Sequence, residues 1–171
     1  LVISTNAGLW RYMLGDLVRF VDTSTQEIII SGRIKQYLSI CGEHLSLDNI
    51  NQGMVQVSNR HHLSFSEYTI FADEISNQHN WFIGCDDETA SDDLILEIDA
   101  ELQKVNDDYA YVRKHSMPAP SLKMIPTQVF YDYLESINKL GAQNKIPRVM
   151  NKKQAEQWTL FLKTKIGRAH V

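Results

Sequence analysis

Strand-like runs alternate with amphipathic helical repeats along most of this sequence, and that alternation limits the possible folds more than any other feature. β-Branched and aromatic residues form runs that predict strands at 17–21, 27–30, 68–72, 81–85 and 122–125. Turn-forming residues at 22–26 separate the first two runs, and a polar turn at 76–78 separates the next two. We therefore predict two β-hairpins and one further strand.

Four helices are predicted by apolar residues that recur every three or four positions. These repeats consist of Leu47, Ile50, Met54 and Val57; Ile95, Ile98, Leu102 and Val105; Phe130, Leu134, Ile137 and Leu140; and Ala155, Trp158 and Leu162. Ser46 and the pair of Asn151 and Gln154 are predicted to cap two helix starts, and Gly141 to end a helix. The pattern predicts an α/β fold of the α+β two-layer kind, a small mixed sheet with flanking helices over residues 34–165.

The composition argues against several classes of protein. With 171 residues the chain fits one domain, or a small domain plus part of another, and 43% hydrophobic residues are enough for a buried core. A net charge of −4 argues against a nucleic-acid-binding domain. No apolar run approaches the roughly 18 residues that a membrane span requires. Cys41 and Cys85 show neither zinc-ribbon nor disulfide-scaffold spacing, so we expect a cytoplasmic protein.

Both ends of the sequence favour a fragment of a longer gene. The chain begins at Leu1 within a strand-like run and without an initiator Met. Residues 166–171 match the translation of a common sequencing adapter, so we expect them to be an artefact that takes no part in the fold. Residues 1–32 are then expected to be the tail of a preceding domain, and residues 33–165 a C-terminal domain.

A Gly-Asp turn is the first place where the sequence could carry chemistry. Residues 12–16, Tyr-Met-Leu-Gly-Asp, join the end of one strand-like run to the start of the next. A carboxylate at such a turn, here Asp16, could accept hydrogen bonds from both vicinal hydroxyls of a ribose. The alternative is that Gly15 and Asp16 only form a hairpin turn.

Two basic segments could also act at a site. Gly32 and Arg33 begin a connector that contains Lys35. A glycine-led basic connector between domains can serve as a hinge, or it can be an ordinary solvated loop. Lys145 precedes Pro147, and its ammonium group could contact a phosphate and stabilise the charge that builds during phosphoryl transfer. The alternative for Lys145 is a surface lysine.

Two other polar pairs are assigned no function. His61 and His62 have no third ligand at a recognisable spacing, so no metal site is predicted there. Glu43 and His44 could suggest acid–base chemistry, but a role at the start of the following helix is at least an equal alternative.

Taken in order, these motifs resemble those of the adenylate-forming enzymes, in which a Tyr-x-x-Gly-Asp motif closes the large domain and a Gly-Arg segment forms the hinge. Residues 4–12, Ser-Thr-Asn-Ala-Gly-Leu-Trp-Arg-Tyr, further resemble a run of the auxin-responsive Gretchen Hagen family of acyl-acid amido synthetases. Residues 144–149, Asn-Lys-Ile-Pro-Arg-Val, resemble the Lys-x-Pro-Arg signature of that family. Residues 42–46, Gly-Glu-His-Leu-Ser, resemble its bacterial branch.

The resemblance implies a fold and a set of site residues. Residues 33–165 would be the mobile C-terminal domain of an adenylate-forming enzyme, preceded by a β-hairpin from the end of the large domain. Asp16 would bind the ribose hydroxyls of ATP, and Tyr12 and Arg11 would lie beside the nucleotide. Lys35 would lie near the nucleotide or its phosphates, and Lys145 would reach the α-phosphate when the small domain closes.

The resemblance also implies an activity. The intact ligase would use ATP, with Mg²⁺ on its phosphates, to adenylate a carboxylic acid, and an amino acid or amine would then displace AMP. The large N-terminal domain of the same chain would supply the acyl pocket, so we expect the fragment alone to be inactive. One alternative is an adenylating ligase of the acyl-CoA type, and another is a non-catalytic binding module.

Overall fold

Two antiparallel β-hairpins come first in the structure, a computed structural model that describes residues 1–33, 37–139, 141 and 145–166. Their strands are β1 (Val2–Ile3), β2 (Tyr12–Met13), β3 (Asp16–Asp22) and β4 (Glu27–Arg33). β1 pairs with β2, and β3 pairs with β4. The hairpin predicted from the strand-like runs at 17–21 and 27–30 is therefore confirmed.

A mixed three-stranded sheet forms the centre of the rest of the chain. A short antiparallel ribbon of β5 (Tyr37–Leu38) and β6 (Leu45–Ser46) precedes it. The strands of the sheet are β7 (Glu67–Asp73), β8 (Gln78–Gly84) and β9 (Ser121–Ile125). β8 lies in the middle, antiparallel to β7 and parallel to β9. This arrangement confirms the predicted small mixed sheet.

The described helices are α1 (Leu47–His61), α2 (Leu94–Val105), α3 (Asp107–His115), α4 (Thr127–Ser136) and α5 (Lys152–Ile166). Two predicted N-terminal caps form. Ser46 Oγ accepts a hydrogen bond from the backbone N–H of Asn49 at 3.2 Å, before α1. Asn151 Oδ1 accepts one from the backbone N–H of Gln154 at 3.0 Å, before α5. Each cap satisfies a backbone donor that has no partner within its own helix.

Helices cover both faces of the sheet. Successive side chains of a strand point to opposite faces, and Trp81 and Phe82 of β8 accordingly belong to different apolar clusters. The first cluster joins one face to α1, α2 and α3, and the second joins the other face to α4 and α5. Trp158 of α5 is fully buried in the second cluster, where its ring meets those of Phe82 and Phe130.

Two element boundaries differ from the sequence predictions. β4 does not stop at Gly32, because a register shift in the hairpin lets Gly32 pair with Leu17 and the strand continue to Arg33. α4 ends at Ser136 and not at Leu140, which lies outside the described residues. Asn138, with a φ of 55°, adopts the left-handed conformation that often terminates a helix, so the predicted stop at Gly141 is wrong.

α3 has no counterpart among the predicted helices, because only Tyr109 and Val112 of its residues are buried and an apolar repeat is therefore missing. The predicted division of the chain near residue 32 stays a prediction. Of the residues expected to be an artefact, Ile166 ends α5, and 167–171 lie outside the described part of the chain. Within that described part, no helix has the length and apolar character to cross a membrane.

Candidate functional site

The Gly-Asp turn connects the two N-terminal hairpins. Gly15 links β2 to β3 with a φ of +81°, a left-handed conformation that strains residues with a side chain. Asp16 therefore begins β3, opposite Arg33 of β4, and is 9% exposed. Tyr12 is 52% exposed, and Arg11 is exposed as well. The turn thus joins a strand that carries an exposed tyrosine ring to one that begins with a largely covered aspartate.

The predicted hinge is described only in part. The backbone of Gly32 and Arg33 forms the end of β4, hydrogen-bonded to β3. Lys35, the predicted nucleotide contact in this segment, lies outside the described residues. β5 follows at Tyr37 and forms, with β6, the short ribbon that precedes α1. Gly32 and Arg33 therefore belong to the preceding hairpin.

Lys145 begins a short segment that is fixed to the edge of the central sheet. The lysine is exposed, whereas the next residue, Ile146, is 4% exposed and lies in the second apolar cluster. The backbone N–H of Ile70 in β7 donates to Arg148 O at 2.9 Å, and the N–H of Met150 donates to Ile70 O at 2.8 Å. Segment 147–150 thereby runs parallel to β7, so the exposed lysine stands at the end of a well-anchored stretch.

Two concave regions adjoin this segment. A small cavity of about 110 Å³ is lined by Lys145 together with Lys139, Gln154 and Gln157, among others. A larger open groove of about 950 Å³ runs between the β7 edge and α5, and segment 147–150 forms part of its wall. The lining of the small cavity therefore combines two lysines and two glutamines with apolar residues such as Leu134 and Met150.

The structure does not bring the predicted site residues together in either of these concave regions. Lys145 lines the small cavity, but Asp16, Tyr12 and Arg11 line neither the cavity nor the groove. The lining residues of both regions all lie from Leu38 onward. The roles assigned to these residues from the sequence stay predictions.

A buried acid–histidine pair is the feature that sequence reasoning missed. Glu43 and His79 are both fully buried, with Glu43 Oε1 and His79 Nε2 2.9 Å apart. The same carboxylate accepts hydrogen bonds from the backbone N–H groups of Ile40 at 2.7 Å and Cys41 at 2.8 Å. Burial alone would raise the pKa of Glu43, but the hydrogen bonds from His79 and from backbone N–H groups outweigh it and lower that pKa to about 2.

Further polar groups extend from this pair into the first apolar cluster. The ring of Tyr109 stacks on His79 at a centroid distance of 6.0 Å, and its hydroxyl donates to Asp99 Oδ1 at 2.6 Å. Arg113 Nε donates to the same carboxylate at 2.8 Å. Burial, with the neighbouring Asp99, raises the pKa of Tyr109, and the hydrogen bond to Asp99 raises that of Arg113. These contacts make the network a structural link between α2, α3 and the loop after the predicted hinge.

The sequence left two roles open for Glu43, acid–base chemistry or the start of α1. In the structure Glu43 is fully buried and does not cap that helix. Ser46, not Glu43, caps α1. Because 36 positions separate Glu43 from His79, no local spacing could have indicated their contact. Among the residues that the structure describes, no three His, Cys, Asp or Glu side chains group closely enough to hold a metal ion.

Solved structures with the same fold include two acyl acid amido synthetases. One is described as "GH3.15 acyl acid amido synthetase", with a TM-score of 0.76, 19% identity and 95% of this chain covered. The other is "AtGH3.15 acyl acid amido synthetase in complex with 2,4-DB", with a TM-score of 0.69, 21% identity and 93% of this chain covered. This chain spans about a third of each, 32%. A search of curated protein sequences finds no match.

Two segments of the sequence match domains of one protein family. Residues 1–31 match the GH3 family central domain, and residues 48–154 match the GH3 family C-terminal domain. The second match alone spans more than half of the chain. The predicted mixed α/β fold and the predicted Gretchen Hagen resemblance are both confirmed, and the chain belongs to the GH3 family.

Proposed function

We propose that this chain is the C-terminal part of an ATP-dependent acyl-acid amido synthetase. The observation that carries the proposal is the match of residues 48–154 to the GH3 family C-terminal domain, next to the match of residues 1–31 to the central domain. The two similar structures named above are both described as acyl acid amido synthetases, and this chain covers 32% of each. A larger N-terminal domain of the same protein would complete the enzyme.

The proposed reaction has two steps. A carboxylate oxygen of the acid attacks the α-phosphorus of ATP, which forms the acyl-adenylate and releases pyrophosphate. The nitrogen of an amino acid or another amine then attacks the acyl carbon, loses a proton and displaces AMP. Adenylation is needed because a carboxylate is a poor electrophile with a poor leaving group. The contribution of the protein is to position the reactants and to stabilise the developing charge.

Lys145 is proposed to supply a positive charge at the α-phosphate. Negative charge builds on the phosphoryl oxygens as the carboxylate attacks, and an ammonium group near them stabilises the transition state. Two features support this role: the side chain is exposed, and it lines a cavity together with Lys139. The mobile domain would bring Lys145 to the nucleotide on closing, and withdraw it for the second step.

The nucleotide itself is proposed to lie on the N-terminal segment. Asp16 would accept hydrogen bonds from the ribose hydroxyls, and Tyr12 and Arg11 would flank the nucleotide. The Gly15 turn that orders this stretch supports the assignment. Lys35 would lie near the nucleotide or its phosphates. Mg²⁺ is proposed as the ion carried on the phosphates of ATP, and the cytoplasm as the location of the protein.

The test is acid-dependent pyrophosphate exchange by the complete protein, with a panel of carboxylic acids. Asp16→Ala and Lys145→Ala are expected to abolish most of the exchange, whereas Lys114→Ala, at an exposed lysine of α3, should leave it unchanged. Adding amino acids and then coenzyme A distinguishes an amido synthetase from a ligase of the acyl-CoA type. If none of the acids supports pyrophosphate exchange, the alternative of a non-catalytic binding module is favoured. Turnover by the isolated chain would contradict the expectation that it is inactive alone.

A further inference from the structure

Arg148, three residues after Lys145, contacts the first two residues of β7 through its guanidinium group. Its Nη1 donates to Glu67 Oε2 at 2.6 Å and to the backbone carbonyl of Tyr68 at 3.2 Å. The guanidinium carbon also lies 4.4 Å from the centroid of the Tyr68 ring, within the range of a cation–π contact. A carboxylate, a carbonyl and an aromatic face therefore hold this side chain in one orientation.

A third strand residue fixes the backbone between the arginine and the lysine. Thr69 is fully buried, and its hydroxyl donates to the carbonyl of Pro147 at 2.7 Å. The proline ring restricts the backbone at residue 147. Ile146, between Lys145 and Pro147, is buried in the second apolar cluster. Hence the chain that leaves Lys145 is held by contacts at three successive residues, while the lysine side chain itself stays exposed.

We propose that Glu67, Thr69 and Arg148 are positioning residues that set the location of the Lys145 ammonium group for adenylation. The inference rests on the proposed role of Lys145. It assigns a different task to each cation of the Lys-x-Pro-Arg signature: Lys145 contacts the phosphate, and Arg148 holds the segment to the sheet. The acid partner, Glu67, lies 81 positions before Arg148, outside the signature.

Physical chemistry explains why such an anchor matters for a lysine. An ammonium group is a point charge on a flexible stem, so its useful position depends on where the backbone places the stem. Misplacing a catalytic group by about 1 Å can reduce a rate on the order of 100-fold. Arginine suits the anchoring task because its planar fork pairs with a carboxylate and stacks on an aromatic ring at once.

The experiment compares Glu67→Gln, Thr69→Val and Arg148→Gln in the complete protein. Each should lower the maximal rate of pyrophosphate exchange by about tenfold, with little change in the half-saturating ATP concentration, because the lost interaction acts in the transition state. Formation of the amide from supplied acyl-adenylate, which does not need Lys145 at the phosphate, should stay within about twofold of wild type. A general loss of structure would reduce both reactions together.

A control and a double variant make the result specific. Glu97→Gln removes a comparable ion pair between α1 and α2, where Arg60 Nη1 lies 2.5 Å from Glu97 Oε2, and should leave exchange unchanged. Since Glu67 acts through Arg148, Glu67→Gln combined with Arg148→Gln should be no slower than Arg148→Gln alone. If Arg148 instead contacts the phosphate directly, Arg148→Gln will cost far more than Glu67→Gln and the two losses will add, which overturns the inference.

The two proposals fail in different ways. Loss of exchange in Lys145→Ala with normal exchange in Glu67→Gln, Thr69→Val and Arg148→Gln overturns the positioning inference alone. Normal exchange in Lys145→Ala overturns the proposed role of Lys145 and the positioning inference with it.

Discussion

The first 33 residues and the chain from residue 37 onward bury their apolar side chains to very different extents. All the buried apolar side chains of the described structure lie at or after Leu38. In the N-terminal hairpins, by contrast, Trp10 is 82% exposed, Ile30 is 67% exposed and Phe20 is 58% exposed. Both parts have strand-forming sequences, but only the second surrounds its sheet with helices.

The difference indicates that the N-terminal hairpins complete their packing elsewhere. An isolated two-stranded hairpin is marginally stable in water, and a contiguous exposed apolar surface usually marks an interface. Ile28 and Ile29 are neighbours in a regularly paired part of β4, so they point to opposite faces, and they are 44% and 40% exposed. We therefore expect the remainder of the complete protein to cover the β3–β4 hairpin on both faces.

The largest effect is expected from Trp158→Ala. The indole is fully buried between Phe82, Phe130, Tyr133 and Phe161, so its removal leaves a large cavity. The free energy of unfolding of this chain should fall by about 3–5 kcal/mol, as measured by urea unfolding. Trp158→Phe keeps most of the volume and should cost less. A loss below about 1 kcal/mol for the alanine variant would mean that the second cluster is not tightly packed.

Next in size is Glu43→Gln, expected to lower the free energy of unfolding by about 2–3 kcal/mol at pH 7. The pKa of Glu43 falls from an ordinary 4.5 to about 2 in the folded chain, so its charge stabilises the fold above about pH 5. That contribution disappears as the pH falls toward 2. Unfolding measured at pH 7, 5, 4 and 3 should therefore show the gap between variant and wild type closing, and a constant gap would contradict the ionic role.

Removing the cap of α1 with Ser46→Ala should cost about 1 kcal/mol, because a backbone N–H of the first turn loses its acceptor. Ser24→Ala is the matched change in the N-terminal region. Ser24 donates to Asp22 Oδ1 at 2.6 Å in the exposed turn between β3 and β4. The loss for Ser24→Ala should stay within about 0.5 kcal/mol. Equal losses in the two variants would weaken the contrast between the regions.

The smallest effect in this chain is expected from Trp10→Ala, within about 0.5 kcal/mol, because the ring is 82% exposed. The same change in the complete protein should cost several times more if the missing part covers the ring. Thermal unfolding of both forms, each compared with its own wild type, tests the idea. Equal and small losses in the two forms would show that Trp10 remains on the surface.

Sequence reasoning succeeded where one residue pattern decides one element. Ser46, Ile50, Met54 and Val57 predicted the start and the buried face of α1, and the structure confirms both. Prediction from the sequence failed where contacts between separate elements determine the structure. α3 forms although its surface is mostly polar, because Tyr109 anchors it to Asp99 of α2. This contact joins two different helices, so the residue pattern within α3 does not indicate it.

The candidate site was predictable to a smaller degree. The sequence identified Lys145 and the Gly15–Asp16 turn as places of interest, but it could not indicate how each is held. The anchors of the Lys145 segment come from Glu67 and Thr69, 78 or more positions away from their partners. Their pairing follows from the sheet register, which the order of residues along the chain does not reveal.

Segment 147–150 has one more consequence, for solubility. β7 is an outer strand of its sheet, and segment 147–150 pairs with its free side at Ile70. An uncovered strand edge presents unpaired amide and carbonyl groups that can recruit a strand from another molecule. A chain shortened to end before residue 147 would leave that side of β7 open and would also lose α5 with its buried Trp158. We expect the shortened chain to aggregate in a concentration-dependent way, which light scattering would detect, in addition to any loss of catalysis.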